Sequence, residues 1–407
     1  MRKLETYEGV PAEELRRATR RAFENLVNLA LEESVNFVLI AGDLYDGDWK
    51  DYKTGLYLLS QLRKLREAEI PVFIVAGNHD ALSKITKDLA LPKGITRFPT
   101  KKATTIILDD PPVAIHGRSF STNIMKKNLA VTYPSPVPGY FNIGLLHTSL
   151  NGREGHETYA PCSLEDLINK GYDYWALGHA HRLETVHESH PFVAFPGNTQ
   201  GRHIRETGPK GCLLVTVNEP YEIDAEFRNL DVVRWERINV DVSGAEDPYE
   251  VLELVGNQIK ETAEKNDNMP LIVRLEISGS SPAHEALSED VDRWTNEIRS
   301  IAGDITRGNT CIEKVVFRTS YPKRARDISF KEGPIGELIT YLDNLESSPE
   351  LLLDLGSLIN DLMKKLPPEL KQGEDSPNPG DPQWMAEIVR QVRPMLIRKL
   401  LEKRSPK

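Results

Sequence analysis

VNFVLIAGD (residues 35–43) and IPVFIVAGNHD (70–80) share one pattern, and the fold follows from it. In each, an apolar run too short for a helix and too uniformly apolar for a half-exposed strand stops at a glycine followed by Asp43 or Asn78. Both runs are predicted as buried strands. Between them Tyr52, Leu56, Leu59, Leu62 and Leu65 recur at helical steps across 51–68, and ahead of them Leu15, Ala18, Ala22, Leu26 and Leu29 do the same across 12–33. A strand, a helix and a second strand make the unit of a parallel or mixed sheet under helices. The design recurs downstream. IGLL (143–146) ends at His147, and YWAL (174–177) ends at Gly178-His179-Ala180-His181, with Ser163 and Asp166 forming a capping box for a short helix between them. Four apolar strands thus each deliver an Asp, Asn or His at the carboxyl end, where open α/β sheets place their ligands.

Beyond about residue 210 the pattern changes. Strand-like runs at 212–217 and 232–242 precede a helix with Asp247 as N-cap and Pro248 at its first position. An alternating strand (Leu271, Val273, Leu275, Ile277), a helix carrying Leu287, Val291, Trp294, Ile298 and Ile301, and a strand near 311–319 complete a smaller α+β domain, in which Trp294 is expected to be core. The expected boundaries are a first domain over 1–205, the α+β domain over 206–325, a helical segment over 326–366, a Pro/Gly-rich linker over 367–382 and a C-terminal helix over 383–407. Lys and Arg number 51 against 61 Asp and Glu, so the net charge of −10 excludes bulk electrostatic binding of nucleic acid, and any such contact must be a local basic patch. Cys162, Cys212 and Cys311 are odd in number and far apart, which gives no disulfide framework; a reducing cytoplasm is the expected location. No apolar run approaches the ~20 residues of a membrane span.

Asp43, Asn78, His147, His179 and His181 supply carboxylate, amide-carbonyl and imidazole groups. Mixed oxygen and nitrogen ligands without thiolate suit Mn²⁺, Fe²⁺ or Zn²⁺ better than Ca²⁺ or a structural zinc. His179 and His181 are two apart, so on an extended segment both face the same side. Each could instead be a satisfied polar residue at a strand end, but five such residues, each after a buried strand, point to a metal centre. Weaker signals lie nearby. Lys84, Lys87, Lys93, Arg97, Lys101 and Lys102 fit either a track for a DNA backbone or a solvated face. Arg202, His203 and Arg205, after PGNTQG (196–201), are candidates for phosphate contact at the rim. His116, His156, His187, His190 and His284 are read as structural or solvent-facing.

Gly42-Asp43-Leu44-Tyr45-Asp46, Gly77-Asn78-His79-Asp80, His147 and Gly178-His179-Ala180-His181 together resemble the ordered motifs of the calcineurin-like metallophosphoesterases. GDLYDGDW (42–49), HTSLNGREGH (147–156) and YAPCSLEDL (159–167) are similar more narrowly to DNA repair exonucleases of the SbcD type, in their YhaO-like branch. The resemblance implies a four-layer α/β/β/α sandwich over about 1–205 with a capping domain behind it. It also implies two divalent metal ions, with Mn²⁺ expected, and hydrolysis of phosphodiesters at DNA ends. By that resemblance Asp43 bridges both metals, Asn78, His147 and His179 complete one site, and His181 belongs to the other. His79 would stabilise or protonate the leaving oxygen, and Asp46 would orient a metal-bound histidine.

The family pattern includes an Asp-x-His motif on a strand before the first helix, whereas here no such motif precedes Asp43 and the first histidine is His79. The expectation is a misplaced start or a truncation, a second metal site with only Asp43 and His181 as protein ligands, and poor activity of this form relative to an extended one. Two rival functions stand beside the nuclease: a phosphatase or phosphodiesterase for small molecules, and a non-catalytic DNA- or partner-binding subunit. The C-terminal stripe Trp384, Ile388, Val392, Leu396 and Leu400 is expected either to pack on its own chain or to dock an SbcC-type coiled-coil ATPase. A homodimer is also compatible with the family, and no membrane association is expected.

Overall fold

A computed structural model describes residues 12–44, 52–82, 91–150, 159–320, 322, 334–359, 363, 365 and 377–402. The backbone divides into two compact units, one of Met1–Ile238, Gln258–Leu275 and Arg299–Val315, the other of Asn239–Asn257, Glu276–Ile298 and Val316–Lys407.

The first unit opens with helix α1 (Ala12–Glu32), strand β1 (Val38–Ile40), α2 (Tyr52–Glu67), β2 (Val72–Ile74), α3 (Asn78–Leu82) and β3 (Ile95–Arg97). These strands form a parallel sheet in the order β1-β2-β3. There follow β4 (Thr104–Asp109), β5 (Pro112–Gly117), a 3₁₀ turn (Ala130–Thr132), β6 (Phe141–His147), α4 (Leu164–Ile168), β7 (Tyr174–Gly178), β8 (Glu184–His187) and β9 (Phe192–Phe195). They make a six-stranded sheet in the order β4-β5-β6-β7-β9-β8, parallel through β5, β6, β7 and β9 with an antiparallel strand at each edge.

Strand periodicity turns these sheets into layers. Val72 and Ile74 face Val27 of α1 and Leu58, Leu62 and Leu65 of α2. Phe73 and Val75 point the other way, into a core shared with Ile115, Ile143, Leu145, Tyr174 and Ala176 of the six-stranded sheet. Leu146, Trp175 and Leu177 occupy that sheet's far face and pack with Ala130, Leu167 and Tyr172. The result is the expected order of helices, sheet, sheet and helix. The Ser163–Asp166 capping box that starts α4 is present in full.

One strand departs from its reading. Val38, Leu39 and Ile40 are half-buried, whereas Val72, Phe73 and Ile74 are fully buried. The two runs have the same character in sequence, but β2 lies between β1 and β3 while β1 is the edge among the described residues. A hairpin of β10 (Gly211–Asn218) and β11 (Glu222–Asn229) follows. Its second strand, EIDAEFRN, is mostly polar and gave no strand signal.

The remaining elements are β12 (Arg234–Asp241), α5 (Pro248–Lys265), β13 (Leu271–Ser280), α6 (His284–Glu289), α7 (Val291–Ile305) and β14 (Thr310–Ser320), with the strands in a sheet ordered β12-β13-β14. Asp247 caps α5 as expected, accepting from the Tyr249 and Glu250 amides at 2.8 and 3.1 Å. Trp294 is buried and donates to the Ala286 carbonyl at 2.8 Å, the core residue its spacing predicted. In the second unit, α8 (Pro334–Ser347), α9 (Pro349–Leu358) and α10 (Pro382–Glu402) enclose Leu342, Leu345, Leu352, Met385, Ala386 and Val389. The buried face of α10 is thus turned by one position from the expected stripe: Trp384 is partly buried at its flank, and Val392 and Leu396 are exposed. Arg393 ties α10 to α8 through Asp343 and Glu346 at 2.6 and 2.9 Å. Most of the expected linker, and Leu400 of the stripe, lie outside the residues whose side chains are described. No helix among the described residues is long and apolar enough to cross a membrane.

Candidate metal centre

The carboxyl ends of β1, β2, β6 and β7 converge. Asp43 follows β1, Asn78 and His79 open α3 after β2, His147 ends β6, and His179 follows β7. One ligand atom from each of Asp43, His147 and His179 lies within 4.8 Å of the other two. The Nε2 atom of His147 stands 2.9 Å from Asn78 Oδ1 and 3.5 Å from Asp43 Oδ2.

The state of the His147 ring follows from its surroundings. The ring is fully buried, and burial presses its pKa down to about 4, so it is neutral at physiological pH. Its Nδ1 lies 2.8 Å from the Ala41 carbonyl, which can only accept, so Nδ1 carries the proton and Nε2 presents a lone pair. Nε2, Asn78 Oδ1 and an Asp43 carboxylate oxygen are therefore three acceptors facing one another. A divalent cation is the partner that such a set fits, and a neutral imidazole need lose no proton to bind one. Burial also raises the Asp43 pKa, opposed by the nearby imidazoles of His79, His179 and His181 and by the His79 amide, which donates to Oδ1 at 3.0 Å.

Local backbone strain marks the same place. Asp43 and His179 have φ of +52° and +109°, conformations that cost side-chain-bearing residues on the order of 1–3 kcal/mol each. Gly42 has φ of +101°, and a Cβ there would overlap the His147 ring. A Cβ on Gly178 would overlap the Ala41 carbonyl, the acceptor that sets the His147 tautomer. Buried Asp80 accepts from the Leu44 and Gly77 amides at 3.3 and 3.0 Å and so ties the exit of β1 to that of β2. Phe120 and Tyr159 set their rings against His147 and His179, at centroid distances of 5.2 and 5.3 Å.

His181 is placed differently. Its side chain is 41% exposed, it stands outside the 4.8 Å group, and its Nδ1 is 2.7 Å from Oε1 of Glu206, whose side chain is 4% exposed. Glu206 also accepts from the Arg202 amide at 2.8 Å, from Asn198 Nδ2 at 2.9 Å and from Arg202 Nη2 at 3.3 Å, with His203 Nε2 at 3.5 Å. Burial alone would raise its pKa, but the His181 hydrogen bond and the Arg202 guanidinium hold it well below the carboxylate range. Lys210 Nζ reaches the His181 carbonyl at 3.4 Å.

Four of the residues expected to bind metal, Asp43, Asn78, His147 and His179, are thus brought together, and His181 lies close enough to act on the Asp43 carboxyl. Asp46 lies outside the described residues; the group that orients His147 is the Ala41 carbonyl. Of the three rim candidates, Arg202 and His203 turn to Glu206, and the Arg205 amide donates to His203 Nδ1 at 3.3 Å. Sequence reasoning missed Glu206 and the bracing role of Asp80. Asp80 could have been found as the acid closing the Gly-Asn-His-Asp motif, whereas Glu206 carried no signal beyond its place four residues after Arg202. Among the expected structural histidines, His116 is fully buried between Thr105 and Asn142 and stacks on Tyr172.

Residues 16–183 match the calcineurin-like phosphoesterase family, and residues 235–320 match the middle domain of metallophosphoesterase YhaO. The chain is 35% identical over 271 residues to the uncharacterized metallophosphoesterase YhaO of Bacillus subtilis, an alignment that covers 66% of each chain. It is 25% identical over 291 residues to the DNA double-strand break repair protein Mre11 of Sulfurisphaera tokodaii, covering 67% of this chain and 71% of that one. A protein of the same name from Methanopyrus kandleri is 25% identical over 359 residues, covering 78% of this chain and 74% of the relative. The family uses divalent metals, and the acceptor set around Asp43 and His147 fits one. With its four layers, its converging strand ends and both matches, this chain belongs to the calcineurin-like metallophosphoesterases and carries a YhaO-type middle domain.

Proposed function

We propose that this chain is a metal-dependent phosphodiesterase that hydrolyses DNA ends. The observation that carries the reading is the neutral, buried His147 facing Asp43 and Asn78 with only acceptor atoms, beside His179. Asp43, Asn78, His147 and His179 would hold one divalent cation, and Asp43 with His181 would reach a second, Mn²⁺ being the expected identity. Such ions would supply positive charge to the phosphoryl oxygens and lower the pKa of a water near the phosphorus.

The chain's own residues do the rest. The Asp43 carboxylate lies near the imidazoles of His179 and His181 and faces His147, its Oδ1 fixed by the His79 amide. That bond also keeps His79 next to Asp43, and its imidazole would donate a proton to the leaving oxygen. Arg202 and His203, both partly exposed beside Glu206, are the proposed donors to a phosphate backbone. The choice of DNA is supported by the Mre11 relatives, whose names state repair of DNA double-strand breaks, and by the YhaO-type middle domain. An SbcC-type ATPase is the proposed partner, with the exposed Val392 and Leu396 of α10 as the docking stripe, and the cytoplasm the proposed location.

The test is digestion of linear duplex DNA alongside a small phosphodiester such as bis(p-nitrophenyl) phosphate, with Mn²⁺ varied. Wild type should cleave both, Asp43→Ala neither, and His79→Ala should bind Mn²⁺ normally without turning over. Cleavage of the small ester with no cleavage of DNA would replace the nuclease reading with a small-molecule phosphodiesterase.

A further inference from the structure

We infer that Glu206 is the positioning residue of the second half of the metal centre, fixing the His181 ring so that Nε2 is presented to a divalent cation. The inference rests on the two-cation reading above. Its basis is the contrast between the two imidazoles. His147 is fully buried and its ring is caged by Phe120 and His179 as well as hydrogen-bonded to a carbonyl. His181 is 41% exposed, so burial does not select its rotamer. What selects it is the 2.7 Å contact from Nδ1 to Glu206 Oε1.

The carboxylate can only accept, so Nδ1–H donates to it and the lone pair of the neutral ring is on Nε2. A carboxylate hydrogen-bonded to the far nitrogen of a metal-binding histidine fixes both its tautomer and its orientation and raises its basicity. Glu206 is itself immobilised for this task. Its Oε2 accepts from the Arg202 amide and from Asn198 Nδ2, at 2.8 and 2.9 Å, which leaves Oε1 aimed at His181. The competing donors on Oε1 are farther away, Arg202 Nη2 at 3.3 Å and His203 Nε2 at 3.5 Å. Lys210 holds the same residue from the other side through the His181 carbonyl. A loop after β9 thus does for His181 what the strand interior does for His147.

The experiment is NMR of protein labelled at the histidine rings, wild type and Glu206→Gln, titrated with Mn²⁺, with melting curves of both metal-free proteins. In wild type without metal, the His181 proton should sit on Nδ1; a proton on Nε2 would overturn the inference without recourse to any variant. With Mn²⁺, His181 in Glu206→Gln should respond only at roughly tenfold to hundredfold higher concentration than in wild type, while His147 and His179 respond at the wild-type concentration. Equal shifts for all three rings would mean that Glu206 only supports the fold, and an unchanged His181 response would mean that it does not position the ring. A His181 in wild type that never senses Mn²⁺, beside a responding His147, would instead bring down the two-cation reading and this inference with it. In a His181→Ala background, Glu206→Gln should leave the Mn²⁺ response of His147 and His179 unchanged.

Discussion

The two halves of the proposed metal centre are built by different means. Asp43, Asn78, His147 and His179 are fixed by the sheets: strand ends deliver them, strained backbone aims them, and the Ala41 carbonyl and Asp80 brace them from behind. His181 stands on a loop, partly open to solvent, and is held by the carboxylate of Glu206. One half gets its geometry from burial and the other from a hydrogen-bond relay. The first should therefore fail through packing defects, and the second through the loss of single polar contacts.

The largest effect should come from Asp43, the residue that both halves are proposed to share. Asp43→Ala should remove Mn²⁺ binding altogether, a loss exceeding the roughly 100-fold seen for residues that only support a ligand. Isothermal titration would register it, and retained binding at one site would show that the halves do not share Asp43. Gly178→Ala comes next and strikes the strand-built half alone. Its Cβ would press on the Ala41 carbonyl, so the protein should lose about 3 kcal/mol of stability, as overpacking at a tight site does, and His147 should lose its fixed tautomer. Denaturant unfolding measures the first, and an unchanged midpoint would mean that the close approach at Gly178 is relieved elsewhere.

A pH series separates the halves by burial. Buried His147 takes its proton only near pH 4, and buried His116 also titrates below the ordinary value of 6.5 because burial penalises its cation. Their contribution to stability is complete above pH 6.5 and is lost as pH falls towards 4, because the unfolded chain binds the protons first. Asp43, with its raised pKa, has the opposite sign and reduces the net slope. The melting temperature of metal-free protein should thus fall between pH 6.5 and 4, and His147→Asn should flatten the fall; an unaltered slope in that variant would contradict the burial account. The smallest effect is expected at Arg202, whose guanidinium reaches buried Glu206 at 3.3 Å, farther than the donors that remain in the variant, His181, Asn198 and the backbone amide of residue 202. Arg202→Ala should leave the melting temperature nearly unchanged and raise KM for DNA a few-fold with kcat preserved. A loss of kcat instead would place Arg202 among the residues that hold His181.

The strand-built half was legible in the sequence because its signal is local. An apolar run that stops at Gly-Asp, Gly-Asn-His-Asp or Gly-His-Ala-His states both the strand and the residue at its end, and those residues met as expected. The loop-built half was legible only as far as His181. Glu206 is 25 residues away in sequence and meets His181 through the path of the chain past β9, which no periodicity encodes. The same limit explains the strands. Burial of β2 and half-burial of β1 depend on which neighbours each strand has, and the apolar run alone does not carry that. The α10 stripe was one position off because Met385, Ala386 and Val389 pack where α8 and α9 meet the helix, and a 3.6-residue period fits either face.

The most direct measurement is a crystal structure of the protein grown with Mn²⁺, with the ions located by anomalous scattering. The account predicts a strong peak bounded by Asp43, Asn78, His147 and His179, and a weaker one between Asp43 and His181 with Glu206 still on the far side of the ring. A peak at His181 with none at the strand-end cluster would contradict it.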